Sequence, residues 1–155
     1  MFRRFAAAAL ASVAVLVSAT TAGAQQAEAI RAAVIGFYRA VENHDISAMR
    51  KLIVSDAIIT SVGVGVGKPV VVSSRSIGVM IDAVGIAPQT WLQRFGHTEI
   101  KVDGIAAEFT GTYKFLINGE QEYCGRTAIL LVKNADKWLI AAITESQVES
   151  ACPSP

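Results

Sequence analysis

Side chains that commonly bind metal ions are scarce in this sequence. Two of the 155 residues are cysteines and two are histidines, and their spacing matches no metal-binding motif. We therefore expect no metal site and no cofactor. The two cysteines, Cys124 and Cys152, could close a loop of about 29 residues as a disulfide or remain unrelated thiols, and the sequence favours neither alternative.

An excess of charge of either sign is also missing. The chain carries 14 Lys and Arg against 13 Asp and Glu, and charged residues make up 17% of it. Because surfaces that bind nucleic acids or anionic membranes carry a basic excess, we expect neither as a partner. Apolar residues, at 52%, supply one hydrophobic core for a single domain, which excludes a disordered or fibrous protein.

No apolar run reaches the roughly 20 residues that a membrane-spanning helix needs. The run Phe5–Val17 has 13 residues, follows Arg3 and Arg4, and precedes the small residues 22–24. This order is typical of a secretory signal peptide over residues 1–24, cleaved before Gln25. We therefore expect a mature domain over residues 25–155 that has no membrane span and is periplasmic or secreted, where disulfides persist.

A glycine run over residues 62–69 is not a phosphate-binding loop, because Val62 and Pro69 occupy positions that this motif reserves for Gly and for Ser or Thr. It predicts a hairpin or lid. Hydrophobic periodicity predicts a helix over 27–42, a second helix capped by Asp45 and ending at Ile53, a strand over 57–61 and a third helix over 88–95. Residues 70–87 have no clear period.

Turn signals divide the last third of the chain into four strands. They cover residues 97–102, 105–117, 121–133 and 138–147 and predict an antiparallel meander. Helices followed by such a sheet indicate an α+β domain with the helices on one face.

Three phrases carry a resemblance to a known family. They are Phe37-Tyr38-Arg39-Ala40-Val41 leading to Asp45, Asp56-Ala57, and Trp138-Leu139-Ile140. The chain resembles the nuclear transport factor 2-like superfamily and, within it, exported bacterial SnoaL-like members. The resemblance implies a cone-shaped α+β fold with N-terminal helices packed on a curved antiparallel sheet. It does not imply one activity, because the superfamily includes isomerases, dehydratases, cyclases, epoxide hydrolases and proteins without known activity.

Ketosteroid isomerase, an enzyme of this superfamily, uses an aspartate base with a tyrosine and a protonated aspartic acid as hydrogen-bond donors. The matching positions of this chain hold Phe37, Val62 and Ala128. All three groups are absent, so the resemblance does not extend to the isomerase mechanism.

Turn lengths predict which side chains face the helices. A two-residue turn at Asn118-Gly119 pairs Tyr113 with Cys124, and a four-residue loop over 134–137 then pairs Arg126 with Glu145. We expect these residues to line an apolar pocket with Tyr38 on the first helix and Trp91 at the mouth. The predicted ligand-binding set is therefore Tyr38, Trp91, Tyr113, Arg126 and Glu145.

The same register assigns an apolar group to the outer face of the sheet. Because Ile129, Leu131, Trp138 and Ile140 would be exposed there, we expect a homodimer formed through this face.

Three functions are compatible with these residues. The favoured hypothesis is an exported protein that binds a small apolar molecule, with an anionic or carbonyl end directed at Arg126. The first alternative is a cofactor-free lyase, dehydratase or isomerase in which Glu145 is the base and Tyr113 or Tyr38 the proton donor. The second is a structural dimer with a filled core. Arg126 and Glu145 could accordingly be a ligand anchor or a stabilising ion pair.

Overall fold

The computed structural model describes residues 11–64, 69–148 and 152 of the chain. The start of the predicted signal peptide, with Arg3 and Arg4, and residues 65–68 of the glycine run lie outside the described residues. The elements are α1 (Ala11–Glu42), α2 (Ile46–Arg50), β1 (Ile53–Val64), β2 (Val71–Ser76), α3 (Ile77–Ile86), β3 (Trp91–Asp103), β4 (Ala106–Ile117), β5 (Glu120–Asn134) and β6 (Lys137–Val148).

Helix α1 ends at Glu42, as predicted, but begins at Ala11 instead of residue 27. No proline interrupts residues 11–26, and five of them are alanine, the residue with the highest helix propensity, which permits the earlier start. Residues 22–25 are exposed, whereas Ile30, Val34 and Phe37 are completely buried. Among the described side chains of this helix, complete burial therefore begins at Ile30.

Asp45 caps α2, as predicted, because its Oδ1 accepts a hydrogen bond from the backbone N of Ala48 at 2.9 Å. The helix ends at Arg50 and not at Ile53, which already belongs to β1.

The prediction of a third helix over residues 88–95 is wrong. Residues from Trp91 onward form β3, with Trp91, Gln93 and Phe95 on the inner face of the sheet. The alternation of these side chains is that of a strand, and the pairing of β3 with β4 is irregular between Phe95 and Thr98. The helix of this region is instead α3, which the Ser76 hydroxyl caps by accepting from the backbone N of Gly78 at 3.1 Å.

The sheet has the strand order β2-β1-β6-β5-β4-β3. Strands β3 to β6 form the predicted antiparallel meander, while β1 lies parallel to β6 and antiparallel to β2. The antiparallel pairing of β1 with β2 agrees with a hairpin around the glycine run. The helices pack on one face of the curved sheet, which confirms the predicted α+β cone with N-terminal helices.

The pairing of β4 with β5 follows the predicted register only beside the turn. Leu116 pairs with Gln121 as expected, but after an irregularity Phe115 pairs with Tyr123 and Tyr113 with Gly125. One extra residue on β5 has shifted the register. Because a slip of one residue turns every following side chain to the opposite face, Cys124 and Arg126 lie on the outer face.

A second irregularity separates β5 from β6 between Leu130 and Leu131. The pair Leu131 and Ile140 has the predicted register, whereas beyond the irregularity Thr127 pairs with Glu145. The second shift compensates for the first, so Glu145 faces inward as predicted although Arg126 does not.

These shifts also bury the side chains that motivated the homodimer. Ile129, Leu131, Trp138 and Ile140 belong to the core beneath the helices, with at most 5% of each exposed. The assignment of these residues to the outer face is wrong, and they cannot form a dimer interface.

Cys124 and Cys152 form a disulfide, with their Cα atoms 5.7 Å apart. Cys124 pairs with Lys114 on the outer face, and not with Tyr113 on the inner face. The bridge therefore attaches Cys152 to the face of the sheet that lies away from the helices.

Candidate functional site

The inner face of the sheet leaves a cavity of about 60 Å³ at one end of the helical layer. Helices α1 and α3 and strands from both halves of the sheet contribute to its wall. Most of the wall is apolar. Besides two tyrosines and a tryptophan, the polar or charged side chains among the twelve lining residues are Arg75, Gln93 and Glu145. The lining residues are Phe37, Tyr38, Val41, Ile59, Arg75, Met80, Trp91, Gln93, Phe115, Tyr123, Ile143 and Glu145.

The three side chains of this wall that carry a charge or an amide are Arg75, Gln93 and Glu145, and they come from β2, β3 and β6. The tyrosines Tyr38 and Tyr123 add two hydroxyl groups from α1 and β5. A mostly apolar cavity into which a few polar groups converge is the usual form of a small-molecule site.

Two polar atoms of the cavity wall are buried without a hydrogen-bond partner among the described residues. They are the hydroxyl oxygen of Tyr38 and Nε2 of Gln93. The Tyr38 ring is held by edge-to-face contacts with Phe37 and Phe95, at centroid distances of 5.4 and 5.1 Å. Burial is the main cause that raises the pKa of Tyr38 well above its ordinary value. The Glu145 carboxylate adds to it and the neighbouring Gln93 side chain acts in the opposite direction, so the hydroxyl keeps its proton.

Glu145 is the buried acid of the site, with 6% of the residue exposed. Its Oε1 accepts hydrogen bonds from the Ser61 hydroxyl at 3.4 Å and from Nε2 of Gln147 at 3.1 Å. Burial raises the pKa of Glu145, while the bonds from Gln147 and Ser61 and the charge of Arg75 act in the opposite direction. The carboxyl group is therefore a better proton acceptor than an exposed glutamate.

Arg75 is the one cation among the lining residues. It lies on the edge strand β2, opposite Ile59, and is exposed. Within the described parts of the chain, no ion pair joins it to Glu145. Its charge therefore acts on the site from the mouth of the cavity.

Aromatic rings form the wall on the side of β3, β4 and β5. The rings of Phe115 and Tyr123 are stacked with a centroid distance of 4.8 Å, and Trp91 contacts Phe115 edge-to-face at 6.2 Å. These rings offer flat apolar surface to a ligand while their mutual packing holds them in place.

Tyr113 faces inward, as predicted, but its hydroxyl does not face the cavity. It donates to the backbone carbonyl of Ser146 at 2.9 Å, across Gly125 on the intervening strand. A Cβ atom at Gly125 would collide with that carbonyl, so only glycine permits this contact. Tyr113 therefore holds β6 in position beside Glu145 and is not a ligand-binding group.

Arg126 is the predicted site residue that the structure contradicts. It pairs with Thr112 on the outer face and is exposed, and the predicted pair with Glu145 does not exist. The extra residue in β5 is the physical reason, because it turned this part of the strand over. Because the pair does not form, both of its interpretations, as a ligand anchor and as a stabilising ion pair, are wrong.

Solved structures with a similar fold come from several bacteria. A nuclear transport factor 2-like protein from Cytophaga hutchinsonii has a TM-score of 0.65 and 11% identity, over 79% of this chain and 98% of that one. A protein from Streptomyces avermitilis, of the same family and proposed to be a dehydratase, has a TM-score of 0.62 and 17% identity, over 83% and 99%. The protein has the nuclear transport factor 2-like fold.

A third example is a nuclear transport factor 2-like protein with a cystatin-like fold from Novosphingobium aromaticivorans. It has a TM-score of 0.61 and 14% identity, over 87% of this chain and 90% of that one. No protein-family model matches the sequence, and no curated protein matches it significantly. Similarity at this level of identity concerns the fold and leaves the activity of this chain to its own residues.

Sequence reasoning missed several residues of this cavity. It brought together Tyr38, Trp91 and Glu145, but not Gln93 or Tyr123. Gln93 was assigned to a helix, although its position between Trp91 and Phe95 fits a strand with alternating faces. Tyr123 was placed on the outer face, because the predicted register lacked the extra residue in β5 that turns this side chain inward. Arg75 lies in the segment whose sequence has no clear period.

Among the described residues, no three His, Cys, Asp or Glu side chains come close enough together to hold a metal ion. None of the described helices combines the length and the apolar character needed to cross a membrane.

Proposed function

We propose that the cavity binds a small, mostly apolar organic molecule through an oxygen atom that accepts hydrogen bonds from Tyr38 and Gln93. The observation that carries the proposal is the pair of unpartnered polar atoms, the Tyr38 hydroxyl and Nε2 of Gln93, on the wall of one cavity. A buried polar group without a partner costs about 1–3 kcal/mol. A ligand oxygen that accepts from both groups would remove that cost.

The size of the cavity limits how such a ligand is held. About 60 Å³ is free, while roughly 10–15 Å³ suffices for one water molecule. This space takes the polar end of a small organic molecule, and the remainder would lie against Trp91 and Met80 on the cavity wall. The expectation of an anionic end directed at Arg126 is not retained, because Arg126 is on the outer face.

Acetophenone and ethylbenzene test this proposal, because they have nearly the same shape and only acetophenone carries an acceptor oxygen. We expect the protein to bind acetophenone about tenfold more tightly, which corresponds to about 1.4 kcal/mol for the hydrogen bonds. Tyr38→Phe and Gln93→Leu should each reduce this preference, as measured by ligand-observed NMR titration.

Tyr113→Phe is the matched control, because the hydroxyl that it removes is bonded to Ser146 and does not face the cavity. It should lower stability and leave the preference for acetophenone unchanged. Equal binding of the two probes, or an unchanged preference in Tyr38→Phe, would contradict the proposal.

A second candidate function is acid–base catalysis on a carbonyl compound. The observation in its favour is that Glu145, whose pKa is raised by burial, lines the same cavity as the protonated Tyr38 hydroxyl. Glu145 would accept a proton from the carbon beside the carbonyl. The electron pair of that C–H bond would form a C=C bond, and the π pair of the carbonyl would move onto the oxygen held by Tyr38 and Gln93. The Streptomyces avermitilis protein proposed to be a dehydratase is compatible with this chemistry.

Deuterium exchange separates catalysis from binding alone. In D₂O, a protein with this activity accelerates exchange of the methyl protons of acetophenone, and Glu145→Gln abolishes the acceleration. Binding without any acceleration of exchange would leave ligand binding as the function and reject the catalytic candidate. The third hypothesis, a structural dimer with a filled core, receives no support from a cavity lined by unpartnered polar atoms.

The proposal includes export of the protein. The exposure of residues 22–25 and the burial that begins at Ile30 support a signal peptide removed before Gln25, as in exported SnoaL-like proteins, and a periplasmic or secreted product. The intact mass of the exported protein tests it, and a mass that retains residues 1–24 would contradict it.

A homodimer through the outer face stays a prediction. Its support is now limited to the exposed apolar side chains Ile58 and Leu130, of which 49% and 46% are exposed on that face. Sedimentation velocity tests it, with Leu130→Asp as the variant expected to be monomeric. A monomer at micromolar concentration in the unmodified protein would contradict it.

A further inference from the structure

We propose that Glu145 makes the cavity select its ligand by charge, so that uncharged oxygen compounds are admitted and carboxylates of the same shape are excluded. The inference rests on the proposed function and names the chemical class that the site accepts. It assigns to Glu145 the role of a specificity-determining residue, whether or not a reaction follows.

The one cation among the residues that line the cavity is the exposed Arg75, whose charge acts on Glu145. The groups that surround Glu145 come from every neighbouring element, and those that are titratable or charged are Tyr38 on α1, Arg75 on β2, Tyr113 on β4 and Tyr123 on β5. The three tyrosines keep their protons, because burial raises the pKa of each. Only Arg75 is positive, and it is exposed on the edge strand.

A ligand carboxylate bound to Tyr38 and Gln93 would therefore share the cavity with the Glu145 carboxyl group. Two carboxylates in a poorly hydrated site repel each other strongly, so one of them must take up a proton. The polar neighbours Ser61 and Gln147 already donate to Oε1 of Glu145 and offer nothing to a second anion. An uncharged ligand carries no such requirement.

Charge selection of this kind depends on pH in a definite direction. As the pH falls toward the pKa of Glu145, its carboxylate is neutralised and the penalty for a ligand anion decreases. Affinity for a carboxylate should therefore rise on acidification and include the uptake of one proton, whereas affinity for an uncharged ligand should change much less.

Nitrobenzene and benzoate are suitable probes, because they are nearly isosteric and differ in charge. At pH 7.5 we expect the protein to bind nitrobenzene at least about tenfold more tightly than benzoate, measured by NMR titration. Glu145→Gln keeps the shape of the side chain and removes its charge, so it should reduce this ratio by at least about fivefold, mainly through tighter binding of benzoate.

Glu122→Gln serves as the matched control. Glu122 is an exposed acid next to Tyr123 in the sequence, so its substitution changes the net charge equally and should leave the ratio unchanged. Benzoate affinity should also increase between pH 7.5 and pH 5.5 in the unmodified protein and not in Glu145→Gln.

Three results would overturn the inference. The first is that benzoate binds as tightly as nitrobenzene. The second is that the ratio of nitrobenzene to benzoate affinity is the same in Glu145→Gln. The third is that benzoate binds tightly and Arg75→Gln abolishes this binding, which would identify Arg75 as an anion anchor. If nitrobenzene binds and benzoate binds equally tightly, the inference fails and the proposed function stands. If neither probe binds to the folded protein or to Glu145→Gln, the proposed function fails and the inference fails with it.

Discussion

The inner face of the sheet has two halves that share their strands but differ in what they contact. In the closed half, Phe109, Ile129 and Ile140 are completely buried in the core beneath the helices. In the open half, the same strands present Tyr123 and Glu145 to a cavity. The comparison shows that one curved sheet both builds the core and lines a cavity, because the helices cover one half completely and leave polar groups unpartnered over the other.

The largest expected loss of stability comes from a substitution in the closed half. Phe109→Ala should lower the free energy of unfolding by about 3–5 kcal/mol, because it removes a completely buried ring and leaves a cavity. Phe115→Ala, in the open half, should cost clearly less, because Phe115 is only half-buried and already borders free space. Urea unfolding of both variants tests the comparison, and equal losses would contradict it.

Removal of the disulfide should have the next largest effect. The bridge joins residues 28 positions apart, and replacing both Cys124 and Cys152 with Ser should cost about 2–4 kcal/mol, mainly because the unfolded chain becomes less restricted. The bridge lies on the outer face, so the acetophenone preference should persist below the melting temperature. Loss of that preference in the folded double variant would show that the outer face influences the site.

Glu145→Gln should stabilise the protein in a pH-dependent way. Burial raises the pKa of Glu145, so the folded state binds the proton more firmly than the unfolded state. The stability that Glu145 contributes therefore decreases as the pH rises from the ordinary carboxyl pKa through the raised value.

The variant should accordingly gain on the order of 1 kcal/mol, or a few degrees in Tm, near pH 8 and little near pH 4. Differential scanning calorimetry at several pH values measures this difference. A gain that is largest in acid would have the wrong sign and would contradict the direction of the pKa shift.

The smallest effect is expected on the outer face. Arg126→Met should change the free energy of unfolding by less than about 0.5 kcal/mol, because the side chain is exposed. It should also leave the affinity for acetophenone unchanged. A large loss of stability or binding would mean that Arg126 faces the cavity after all, and would restore the register predicted from the turn lengths.

Much of the fold could be predicted from local patterns. The apolar stripe through Ile30, Val34 and Phe37 identified α1, and the turns at Asn118-Gly119 and Asn134–Lys137 separated the last strands correctly. These signals are local, because a turn or an amphipathic stripe depends on residues within a few positions of one another. The helix predicted over 88–95 failed because Trp91 and Phe95 fit either period over so short a segment.

The candidate site could be predicted only in part. Tyr38 and Glu145 were identified, since their positions depend on the α1 stripe and on two register shifts that compensate each other. The prediction for Arg126 was wrong and Tyr123 was missed, since the face on which each side chain lies depends on one register shift alone. Gln93 was missed because β3 was not recognised near its start.

The sequence by itself determined the order of the elements, the turns of the meander and the apolar content of both the helix and the sheet. Only the tertiary structure decided which faces of the strands meet the helices, through the extra residues beside Phe115 and Leu131. An extra residue in a strand leaves no clear local pattern, because it forms where neighbouring strands and the packed helices accommodate it. Since a one-residue slip exchanges the two faces of a sheet, that long-range choice put Tyr123 into the cavity and Arg126 outside it.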